Sequence, residues 1–121
     1  MKKSKYGNKK VQITINSEIY KFDSKKELKR FRELYALAKS GEITELVLQP
    51  KYLLIDTLRL AGHKTLAKRS YSADFRYKNK LGETIVEDVK ASAKFQDPVY
   101  RIKKHLFLEK YGKELQFKEI Y

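Results

Sequence analysis

The segment from Leu66 to Lys90 constrains this chain most, because it reads as a β-hairpin that offers an acid on each strand. Residues 66–77 are expected to form one long strand. Tyr71, Ala73, Phe75 and Tyr77 share one of its faces, and Ser72, Asp74 and Arg76 share the other. Residues 78–83 supply a turn and residues 84–90 the returning strand. There Val86, Asp88 and Lys90 lie opposite Ile85, Glu87 and Val89. Aspartate is disfavoured inside strands, so acids on two neighbouring strands either face solvent or serve a site. Asp88 and Lys90, two residues apart, look the same way, and Asp74 lies at a similar depth.

The remaining elements follow from the same patterning. Val11–Ile15 and Glu18–Phe22 alternate around Asn16 and Ser17 as an N-terminal hairpin. Ser24 with Glu27 makes a capping-box pattern, followed by a helical stripe of Leu28, Phe31, Leu34, Tyr35 and Ala38 and a stop at Gly41. Strands are expected over 42–49, ending at Pro50, and over 52–60, with a turn at 61–64. Residues 91–96 carry no strong pattern. Asp97-Pro98 then opens a second helix with a stripe of Val99, Ile102, Leu106 and Tyr111 and an end at Gly112. Residues 114–121 form a last strand. The expected organisation is a basic arm over 1–10 and a single α/β domain over 11–121.

Composition sets the partner class. The 121 residues carry 28 Lys and Arg against 15 Asp and Glu, a formal charge of +13. Such an imbalance favours a polyanionic partner, because each phosphate contact releases condensed counterions. Lys5, Lys9 and Lys10 of the arm, Lys68 and Arg69 beside the acids, and Arg101, Lys103 and Lys104 of the second helix are the candidate backbone contacts. Gln49, before Pro50, is either a substrate contact or a polar strand end. No apolar run approaches the roughly 20 residues of a membrane span, so no membrane partner is expected. The start lacks an apolar segment after its lysines and is not read as a secretory signal. With no cysteine there is no disulfide, thiol catalysis or thiolate zinc site, and a reducing cytoplasm is the expected setting. His63 and His105 have no metal-ligand spacing and read as surface or DNA-contacting residues.

The acids suggest phosphodiester hydrolysis. One or two carboxylates can hold Mg²⁺ or Mn²⁺, which activates a water and stabilises charge on the phosphate. Lys90 either positions that water or contacts the phosphate. It acts as a base only if its pKa is strongly depressed.

The order of these parts resembles the PD-(D/E)xK nuclease superfamily, and more closely a family of small phage endonuclease-like proteins, some described as Holliday junction resolvases. The resemblance rests on Lys5-Tyr6-Gly7-Asn8-Lys9-Lys10, Phe22-Asp23-Ser24-Lys25-Lys26-Glu27, Leu48-Gln49-Pro50, Tyr71-Ser72-Ala73-Asp74-Phe75, Glu87-Asp88-Val89-Lys90 and Tyr100-Arg101-Ile102-Lys103. It implies a restriction-endonuclease-like α-β-β-β-α-β core with a mixed central sheet. It further implies Asp74 and Asp88 as metal ligands, Val89 contributing its carbonyl, Lys90 as the catalytic lysine and Glu27 leaning in from the first helix. Ala73 stands where the superfamily often has proline. Glu27 has a second reading, as the residue that closes the capping box. The activity implied is a Mg²⁺- or Mn²⁺-dependent endonuclease acting on branched DNA, as a homodimer, in phage recombination or replication within a bacterial cytoplasm. The rivals are a non-catalytic nucleic-acid-binding module and a nuclease of packaging or restriction.

Overall fold

A computed structural model describes residues 10–92 and 96–121. The first hairpin is β1 (Val11–Ile15) and β2 (Glu18–Phe22), paired from Val11↔Phe22 to Ile15↔Glu18. Asn16 and Ser17 both take left-handed φ, 51° and 69°, which a two-residue turn needs to match the strand twist. Next comes α1 (Lys25–Lys39), whose Ser24 side chain accepts from the Glu27 N–H at 3.1 Å. The capping box therefore forms, with Glu27 Oε2 accepting from the Asp23 N–H at 3.0 Å.

Strands β3 (Thr44–Leu48), β4 (Lys51–Ile55), β5 (Arg69–Ser72) and β6 (Phe75–Lys78) form one bent antiparallel ribbon. The register Leu48↔Phe75 continues without a slip into Lys51↔Ser72. At the bend Gln49 adopts φ 51°, its N–H donates to the Asp74 carbonyl at 2.9 Å, and the Ala73 N–H donates to the Pro50 carbonyl at 3.0 Å. The bend corrects two expectations. The single strand over 66–77 is divided around Ala73 and Asp74, and the strand over 52–60 ends at Ile55. Beyond Ile55 the ribbon narrows to a bridge between Leu58 and Leu66.

After β6 come β7 (Thr84–Val89), α2 (Pro98–Tyr111) and β8 (Gln116–Ile120). The central sheet has the order β3-β6-β7-β8, antiparallel except for the parallel pair β7·β8. The core is thus α-β-β-β-α-β with a mixed sheet, preceded by the hairpin and interrupted by the β4–β5 arm.

Helix α1 and the hairpin cover one face of the sheet around Phe22, Phe31, Leu34, Phe75, Tyr77 and Ile85. Helix α2 covers the other around Tyr71, Ala73, Val86 and Phe107. The bend moves Tyr71 and Ala73 to a different core from Phe75 and Tyr77, although all four share the period-two face expected from sequence. The α2 stripe is also corrected. Val99 and Ile102 are 57% and 62% exposed, while Tyr100 and Phe107 turn inward together with the expected Tyr111. Large rings bury more apolar area than Val or Ile, so they set the rotation of the helix.

Candidate active site

Strand β7 is buried on both faces, and its two acids part accordingly. Glu87, fully buried, points to the α1 side. There Arg30 grips it through Nε and Nη2 at 2.7 and 2.6 Å, and the Tyr77 hydroxyl donates to it as well. Its charge is neutralised within the core, so Glu87 is a structural acid. Asp88 points to the α2 side with Lys90, whose Nζ lies 3.4 Å from Asp88 Oδ1. The choice of Asp88 over Glu87 as partner of the lysine agrees with this geometry.

Asp74 sits at the bend beside Asp88, with Gln49 opposite it on the neighbouring strand. Its Oδ2 accepts from the Val89 N–H at 2.6 Å. Burial, then the charges of Asp88 and Glu27, push its carboxyl up to about 8, against the single favourable Val89 N–H. Glu27 is raised too, by burial and by the charges of Asp23 and Asp88, while also hydrogen-bonded to Asp74. Glu27 thus closes the helix cap and also faces the two aspartates.

Three further groups shape the site; they lie within segments that carry the resemblance, which gives them no part in the acid cluster. The Tyr71 hydroxyl donates to Asp88 Oδ2, and burial followed by the Asp88 charge raises its pKa, so it stays a donor. Lys26 Nζ donates to the Lys90 carbonyl at 2.7 Å, which fixes the strand end from α1. The Tyr100 ring lies under Lys90 Nζ, 3.2 Å from its centroid, and its hydroxyl donates to Glu119. Alternation alone could not find Tyr71, because a straight strand would carry it to the opposite side from Asp88.

The expected nucleic-acid contacts fall in several places. Lys5 and Lys9 lie outside the described residues. Lys10, Gln49, Lys68, Arg69 and Arg101 are exposed, and Lys103 is half-buried. Lys104 differs, because its Nζ is held by Glu119 Oε1 at 3.0 Å. His63 lies near the ribbon tip, and His105 is exposed on α2, 3.8 Å from Glu109.

The donor chemistry of Glu27, Asp74 and Asp88, all carboxyl oxygens, is of the type a hard divalent cation takes. Among the described residues, though, no group of three or more His, Cys, Asp or Glu side chains is placed so that it could hold a metal ion as it stands. Each acid has an oxygen engaged elsewhere: Glu27 on Asp23, Asp74 on Val89, Asp88 on Tyr71.

The fold and this cluster define a small mixed α/β domain with acids on two adjacent central strands, one of them paired with a lysine. The chain belongs to the family described as "Protein of unknown function (DUF1064)", whose model matches residues 3–120. Neither the curated proteins nor the solved structures compared with it include a match. No helix among the described residues is long and apolar enough to cross a membrane.

Proposed function

We propose that the domain is a Mg²⁺- or Mn²⁺-dependent DNA endonuclease of the PD-(D/E)xK type, acting on branched DNA in phage recombination or replication inside a bacterial host. The observation that carries this reading is the meeting of Glu27, Asp74 and Asp88, from a helix, a strand bend and a central strand, with Lys90 on the same side as Asp88. Acids arranged only for stability would not be buried against one another, since that arrangement penalises folding at neutral pH.

When bound, the cation would supply an activated water and offset charge on the phosphate. Asp74 and Asp88 would hold it, with Glu27 and the Val89 carbonyl as further oxygens. Lys90, set between the Asp88 carboxylate and the Tyr100 ring, would present its ammonium to the scissile phosphate. Tyr71 orients Asp88 from behind, and Lys26 anchors the carbonyl of Lys90. Gln49 sits opposite Asp74 and would touch the substrate, while Lys10, Lys68, Arg69, Arg101 and Lys103 would hold the backbone. Resolving a four-way junction takes paired cuts, so the working form would be a two-fold dimer.

The test is incubation with Mg²⁺ or Mn²⁺ and matched linear, nicked, flapped and four-way-junction DNA. Paired junction cuts that fall by at least ~100-fold in Asp74→Ala, Asp88→Ala and Lys90→Ala, with binding retained, are expected. No cleavage with any metal, together with tighter binding by the aspartate variants, would establish a non-catalytic binding module instead.

A further inference from the structure

The far end of the bent ribbon has no role in the acid cluster, and its surface is unusual. Leu58, Leu60 and Leu66 are 45%, 55% and 56% exposed there, with Ile55 beside them at 48%. The segment is nevertheless ordered by its own backbone. Leu58 and Leu66 exchange both N–H···O bonds at 2.9 and 3.0 Å, and the His63 N–H donates to the Leu60 carbonyl at 3.1 Å. Gly62, at φ 77°, makes the reversal that a side chain would resist. Leu58, Leu60, His63, Lys64 and Leu66 line a shallow pocket of about 280 Å³.

Exposed apolar side chains grouped in this way mark a binding surface. The same segment carries Arg59, Lys64, Lys68 and Arg69, all exposed, with Asp56 as the only acid between 56 and 69. That charge selects a polyanion and opposes a symmetric contact with a second copy, which would set the same cations against each other. The ribbon also runs in unbroken backbone continuity from β5 into Asp74.

We infer that this tip is a wedge for DNA, its leucines set against unstacked bases at a branch point and its cations against the flanking phosphates. Apolar side chains inserted at a base step, with basic residues on the backbone, are a known physical way to hold opened or kinked duplexes. The inference rests on the nuclease reading for the identity of the substrate and adds the element that recognises the branch. It also sets a distance. Leu66 lies eight residues before Asp74. At about 3.3 Å per residue this is at most ~26 Å, or about eight nucleotide steps of 3.4 Å. Incision is therefore expected within about eight nucleotides of the branch.

The experiment uses the full chain in EDTA with a four-way junction and a linear duplex of the same sequence, each with 2-aminopurine at the central position. The junction probe should brighten on binding, and the linear probe should not. Changing Leu58, Leu60 and Leu66 together to Ser should abolish the brightening and lower the junction-to-linear affinity ratio roughly tenfold. Lys64→Ala with Lys68→Ala and Arg69→Ala should weaken both complexes and reduce the salt slope by about 3. If circular dichroism shows the triple serine variant unfolded, Leu60→Ser alone is read in the same way.

No brightening, an unchanged ratio, tighter binding to anionic vesicles than to DNA, or a dimer that the serine changes dissociate each overturns the wedge. Because the metal-free chain is used, unstacking without any later cleavage sinks the nuclease reading alone. Cleavage without branch preference sinks the wedge alone.

Discussion

Asp74→Asn probes the electrostatic conflict at the centre of the domain. The Asp74 carboxyl, ordinarily near 3.8, is pushed up to about 8 by burial, Asp88 and Glu27. The folded chain therefore keeps a proton that the unfolded chain releases between those values. Where the folded state binds more protons, stability falls as pH rises. The loss begins near pH 3.8, continues to about 8 and is complete above it. By pH 7 about three pH units at about 1.36 kcal/mol each set a ceiling of ~4 kcal/mol. Glu27 shares the repulsion, and Lys90 offsets part of the Asp88 charge, so roughly 1–3 kcal/mol is expected. Asparagine keeps an oxygen for the Val89 N–H and gives Asp88 and Glu27 a donor in place of a like charge. The assay is urea unfolding in EDTA from pH 5 to pH 9 for both proteins. The variant should be more stable at pH 8, the gap should narrow toward pH 5, and the m-value should stay unchanged. Mg²⁺ should narrow the gap as well. A variant less stable than the parent at pH 8, or two parallel pH profiles, would refute the argument.

Two other perturbations test the surroundings of the site. Arg30→Met strands Glu87 in the core with only Tyr77 as donor and should cost about 3–5 kcal/mol. Adding Glu87→Met should recover most of that loss in the same urea assay. Tyr100→Leu removes the ring 3.2 Å beneath Lys90 Nζ. The Lys90 ε-CH₂ proton resonances, shifted upfield by the ring in the parent, should move downfield in Tyr100→Leu and stay in place in Tyr100→Phe. Unchanged resonances in Tyr100→Leu would show that the ring does not hold the lysine.

The pattern of the chain carried far where one element's own periodicity decides the outcome. The hairpin around Asn16 and Ser17 and the α1 stripe from Leu28 to Ala38 are governed by contacts a few residues apart. The split of Glu87 from Asp88 follows from period-two alternation alone, and the opposite environments of the two acids agree with it. The double use of Glu27 was half legible. The capping box is local, whereas its approach to Asp74 depends on how α1 lies across the sheet.

Alternation misled at Ala73 and Asp74, where one regular pattern spans a bend. The left-handed Gln49 that produces the bend lies on the neighbouring strand, so nothing within 66–77 announces it. The same bend carries Tyr71 across to Asp88. The rotation of α2 escaped for a related reason: Val99 and Ile102 on one side and the inward rings Tyr100 and Phe107 on the other offer rival helical stripes, Tyr111 alone being inward as expected among the residues named. Only the aromatic core they join selects between them.

By itself, then, the sequence determined the first hairpin, the two helices, the faces of β7 and the placing of Asp88 beside Lys90, because helix and strand periods are set by backbone geometry. The tertiary structure alone decided that Lys26, Tyr71 and Tyr100 surround that site and that Arg30 neutralises Glu87. Those contacts join residues distant in the chain. They exist only once the bend and the two cores have brought the elements together.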